Sequence, residues 1–127
     1  MLSGAAVLVV DDEPGLRRLA SRAIAAAGGE AFEAPDGRQA IFVLEQTGID
    51  VAVIDVFMPE KEGLETILEA KQRWPGLKVI AMSGGGLVGP TDVLHLARLV
   101  GADVVMTKPF RLSQLIAEIA RLTSAST

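Results

Sequence analysis

The chain has 127 residues, half of them hydrophobic, a length and apolar content that suit one domain with one core. Its apolar residues fall in short runs, well below the ~20 that a membrane-spanning helix needs, and the absence of cysteine rules out disulfides and thiolate chemistry. A net charge of −4 with both signs mixed along the chain, together with one Trp, four Phe and no Tyr, leaves neither a basic stripe for nucleic-acid phosphates nor a base-stacking surface.

Residues 1–6 carry no Lys or Arg and run straight into a strand-like segment, so they do not read as a signal peptide, and a cytoplasmic protein is expected. Ala5–Val10 is the first expected strand. Asp11 and Asp12 follow it, then a helix with Leu16, Leu19, Ala20, Ala23, Ile24 and Ala27 on one stripe, Arg17, Arg18 and Ser21 on the polar side, and Gly28-Gly29 as its stop. Glu30–Ala34 is the second strand, and Asp36 caps the second helix with Gln39 three residues on. Val51–Asp55 is the third strand. Its helix carries Leu64, Ile67 and Leu68 and ends at Trp74-Pro75-Gly76. Leu77–Met82 is the fourth strand, after which a glycine-rich stretch leads to a helix capped by Thr91 and holding His95, a surface residue on this reading. Asp103–Thr107 is the fifth strand, and the last helix presents Leu112, Leu115, Ile116 and Ile119. The chain reads as a single domain 1–127 whose last residues, Thr123 to Thr127, are a frayed tail or the start of a linker.

Short β-branched runs that alternate five times with helical periodicity predict an α/β fold, a doubly wound five-stranded parallel sheet with five helices covering both faces. In such sheets ligands bind outside the carboxyl ends of the strands. The residues expected there are Asp11 and Asp12, Asp55, Ser83, and Thr107-Lys108-Pro109.

Singly, each has an ordinary structural role as a cap or turn residue; together they have a chemistry. Two unit charges ~4 Å apart interact by about 4 kcal/mol at an effective dielectric near 20, so three converging carboxylates call for a cation. An all-oxygen site beside a wet crevice suits Mg²⁺ or Mn²⁺. Lys108 adds a mobile ammonium for a phosphate oxygen, Ser83 a hydroxyl donor, and Gly84 room for a backbone N–H to approach. These groups match a transferring phosphoryl group, with the ionised Asp55 carboxylate as the nucleophile.

The chain resembles the receiver domains of two-component response regulators, from about Val7 to Leu122. The resemblance rests on Asp11-Asp12-Glu13, Ala34-Pro35-Asp36-Gly37, Asp55-Val56-Phe57-Met58-Pro59 with Gly63, Met82-Ser83-Gly84, Gly101-Ala102-Asp103 and Thr107-Lys108-Pro109-Phe110. It implies a flavodoxin-like sheet of order 2-1-3-4-5. It also implies that Asp55 takes phosphate from a histidine kinase or a histidine phosphotransfer protein. Asp12, Asp55 and the backbone carbonyl of Phe57 would hold Mg²⁺, Asp11 would act directly or through water, and Lys108, Ser83 and Gly84 would line the phosphoryl group. The first helix, with Arg17, Arg18 and Ser21, would lie where the family docks its phosphodonor.

Two departures stand out. The family's usual aromatic switch position, three residues before the lysine, is Val105, too small to swing between buried and exposed places. The Ser83 to Lys108 segment is longer than usual through Gly84–Pro90, and a mobile loop there is the expected replacement switch. The bulky Phe57 either shields the phosphoryl group or packs on the surface. The leading expectation is a stand-alone phosphoacceptor, not a turnover enzyme, that signals through an unknown downstream protein or serves as a phosphate sink, with no nucleic acid or membrane partner. Two other readings remain open: a phosphorylation-independent interaction module, and a nucleotide-binding domain using Gly84, Gly86 and Gly89, whose fingerprint belongs after the first strand.

Overall fold

The computed structural model describes residues 2–56, 62–84 and 90–124, with residues 90–94 described by their backbone alone. Five strands, β1 (Ala6–Val10), β2 (Glu30–Ala34), β3 (Val51–Asp55), β4 (Lys78–Gly84) and β5 (Val104–Lys108), pair in parallel in the order β2-β1-β3-β4-β5. Five helices connect and follow them: α1 (Pro14–Ala26), α2 (Gly37–Gln46), α3 (Glu62–Arg73), α4 (Pro90–Leu99) and α5 (Leu112–Ser124). The α/β class, the strand order and the helix count are those expected.

The central strands read as continuous apolar runs because both sheet faces are covered. Alternate residues divide between two cores. Leu8, Val10, Ala52, Ile54, Val79 and Ala81 pack with Ala40, Leu44, Ile67, Ala70 and Ala97 of α2, α3 and α4. Val7, Val9, Val51, Val53, Ile80 and Met82 pack with Ala20, Ile24, Leu115 and Ile119 of α1 and α5.

Backbone polar groups at the sheet's amino end are held by side chains. Asp50 Oδ2 accepts from the Ala6 N–H at 2.8 Å, and Asp103 Oδ2 accepts from the Val79 N–H at 2.8 Å and from Lys71 Nζ at 3.2 Å. At the opposite end Gly63 matters. A Cβ there would stand 2.6 Å from the Val56 Cα and closer still to the Asp55 carbonyl oxygen, so glycine alone lets α3 begin against the end of β3.

Several local expectations are corrected. Leu19 is 55% exposed, so it lies outside the apolar stripe of α1, whose inward positions are Ala20, Ser21 and Ile24. Ser21 is buried instead of lying on the polar side; its hydroxyl donates to the Arg17 carbonyl at 3.0 Å, which satisfies it inside the helix packing. Leu68, expected on the inward stripe of α3, is 43% exposed. Thr91 falls within the first turn of α4, because that helix starts at Pro90, a residue pre-set for a first helical position. Asp36 caps α2 as expected, Oδ1 accepting from the Gln39 N–H at 2.8 Å. Strands β4 and β5 run on to Gly84 and Lys108, two residues and one residue beyond their expected ends, because Ser83 pairs with Thr107 and Gly84 with Lys108.

Candidate functional site

The carboxyl ends of β1, β3, β4 and β5 bring the singled-out residues to one edge. Asp11 and Asp55 are buried, Asp12 is exposed, and one carboxylate oxygen from each lies within 4.8 Å of the others. The Asp11–Asp12 turn is preset locally: Asp11 Oδ1 accepts from the Glu13 N–H at 2.9 Å, two residues on. From the edge strand, Lys108 reaches inward, and its Nζ lies 3.2 Å from Asp11 Oδ2 and 3.2 Å from Asp55 Oδ2.

That ammonium is partly withdrawn from water, its side chain 21% exposed. Burial pulls its pKa down, but the charges of Asp55 and Asp11 and their hydrogen bonds outweigh it, leaving the group above the ordinary lysine value. Lys108 is therefore charged at neutral pH and offsets part of the repulsion between the two buried carboxylates.

Ser83 is fully buried, and its hydroxyl finds no hydrogen-bond partner among the described residues. Such groups are uncommon and costly in folded proteins. A donor left unpaired at a strand end beside this acidic edge suits an incoming oxyanion. The residues fit a hard divalent cation too: three clustered carboxylate oxygens, no sulfur or imidazole, and one exposed ligand open to water. Asp11, Asp12 and Asp55 would hold it.

Gly84 ends β4, whereas Phe57 and residues 85–89, with the expected mobile loop and two of the three fingerprint glycines, lie outside the described residues. Val105 is half-buried and packs into the core shared by α2, α3 and α4. His95 is exposed on α4, as expected, and Trp74 stacks under the Arg73 guanidinium, 4.6 Å from its ring centroid.

Arg17 exceeds its expected role. It lies on α1, but its Nη1 donates to the Asp11 carbonyl at 2.8 Å and its Nε to Glu33 Oε1 at 3.0 Å. No sequence periodicity marks such a contact, since it joins the end of one strand, a helix and the neighbouring strand.

Residues 7–120 match the family described as response regulator receiver domain. The chain is 33% identical over 123 residues to the transcriptional regulatory protein TcrA of Mycobacterium tuberculosis, covering 96% of this chain and 47% of that protein. It therefore spans about half the length of this and two other curated relatives that it matches. It is also 31% identical over 121 residues to the chemotaxis protein CheY of Thermotoga maritima, covering 94% of this chain and 98% of that one. Among solved structures, a Francisella response regulator receiver domain superposes with a TM-score of 0.86 at 26% identity, covering 98% of this chain and 100% of that one. With its strand order, its acidic edge and its match over residues 7–120, this chain belongs to the receiver domain family of response regulators.

Proposed function

We propose that Asp55 accepts a phosphoryl group from a phosphohistidine donor, a histidine kinase or a histidine phosphotransfer protein, in a Mg²⁺-assisted reaction. The observation that carries this reading is the Lys108 ammonium 3.2 Å from both Asp11 and Asp55 at the carboxyl edge of the sheet.

An Asp55 carboxylate oxygen attacks phosphorus, the P–N bond to the donor imidazole breaks, and the imidazole leaves with the bond's electron pair and takes up a proton. Lys108 is placed to exchange its contact with Asp55 for one with a phosphoryl oxygen, the ammonium following the negative charge. Ser83 supplies a hydroxyl donor that has no competing partner among the described residues. When bound, Mg²⁺ would neutralise charge on the phosphoryl oxygens. Asp11, Asp12 and Asp55 would hold it with the Phe57 backbone carbonyl. The domain turns over no separate substrate on this reading; it acts in the cytoplasm as a phosphate sink or through a downstream protein.

Incubation with acetyl phosphate and Mg²⁺, followed by intact mass measurement, tests the proposal. One added phosphoryl group, lost in Asp55→Asn, is expected. No Asp55-dependent adduct, with a competent phosphohistidine donor also tried, would instead support an interaction module that works without phosphate.

A further inference from the structure

The Arg17 side chain is only 15% exposed, and its two hydrogen bonds join α1 to the end of β1 and to β2. Asp11 is consequently held at three points. Its N–H donates to the Ala34 carbonyl at 3.2 Å, its carbonyl accepts from Arg17, and its Oδ1 accepts from the Glu13 N–H. The carbonyl that Arg17 holds belongs to the planar peptide joining Asp11 to Asp12, so anchoring it sets the plane from which the Asp12 side chain departs. Asp12 is the exposed member of the carboxylate group, the one that burial does not immobilise.

A guanidinium beside an acidic site would ordinarily compete with a cation. Here Glu33 ion-pairs with it at 3.0 Å, so the fork contributes direction with little net charge. We infer that Arg17, balanced by Glu33, is a positioning residue that orients the Asp11–Asp12 peptide so that Asp12 can take a divalent cation. The inference rests on the phosphoacceptor reading of the same edge. Lysine cannot replace the fork, because one ammonium lacks the planar geometry that serves both partners.

Mn²⁺ affinity by electron paramagnetic resonance, the Mg²⁺ dependence of phosphorylation by acetyl phosphate, and metal-free thermal unfolding would be compared in wild type, Arg17→Ala, Arg17→Lys and Glu33→Gln. Arg17→Ala and Arg17→Lys are expected to raise the Mn²⁺ dissociation constant and the Mg²⁺ half-saturation about tenfold, as loss of a partner behind a metal ligand does, while the rate at saturating Mg²⁺ changes far less. Glu33→Gln should also weaken binding, by an amount that shrinks as salt rises, because it leaves the guanidinium charge unbalanced. Wild-type Mn²⁺ affinity in the two Arg17 variants, whatever their melting temperatures, would overturn the inference and leave the phosphoacceptor reading standing. A wild-type protein with no Mn²⁺ site that Asp12→Asn removes would overturn both.

Discussion

Lys108 and Ser83 bear opposite kinds of cost at the same edge. The ammonium ion-pairs with Asp11 and Asp55, two of the three carboxylates that could hold a metal ion, so on the phosphoacceptor reading removing it trades internal compensation for metal affinity. Lys108→Ala should bind Mg²⁺ more tightly than wild type by titration calorimetry while losing the phosphorylation response; weaker Mg²⁺ binding would contradict the role given to Lys108. Its ionisation carries a pH signature as well. Because the folded-state pKa lies above the ordinary lysine value, this stabilisation is complete below that value and is lost as pH rises through the folded one. The urea midpoint gap between wild type and Lys108→Met should therefore hold constant through neutral pH and narrow only in the strongly alkaline range. For Ser83 the hydroxyl is buried without a described partner, a state that costs about 1–3 kcal/mol. Ser83→Ala should accordingly match or exceed wild-type stability in denaturant melts, yet slow phosphorylation. A destabilised but normally phosphorylated variant would refute that assignment.

At the scale of elements, helix period proved a good guide to which helices exist and an imperfect guide to their orientation. On α1, the apolar stripe read from the sequence included Leu19 and excluded Ser21, whereas Ser21 and Ile24 face the sheet and Leu19 faces water. Residue type alone could not separate them, because a serine that bonds its own helix backbone packs like a small apolar residue. Ile24→Ala should cost about 2–5 kcal/mol by chemical denaturation, as a core truncation does, and Leu19→Ala close to nothing. Strand ends were likewise short by up to two residues in β4. Their final pairs depend on a partner far away in sequence, Ser83 with Thr107 and Gly84 with Lys108.

Across the whole molecule the fold assembles mutually repelling carboxylates, and ligand linkage should make that visible. A cation that binds only the folded state stabilises it by about 2.7 kcal/mol at a hundred times its dissociation constant. Mg²⁺ should raise the melting temperature of the wild-type protein and leave that of Asp12→Asn nearly unchanged in a thermal-shift titration. Local pattern in the chain was enough to reach the α/β class, from five alternations of period, and to place Asp11, Asp12, Asp55, Ser83 and Lys108 at strand ends. Local pattern suffices for the central strands because, buried on both faces, they carry an unbroken apolar signal that ends where these polar residues begin. Three features emerge from packing alone: Lys108 touches both Asp11 and Asp55, Ser83 is left unpaired among the described residues, and Arg17 reaches the Asp11 carbonyl. Those facts depend on distances between chain segments up to 97 residues apart, which no local periodicity records.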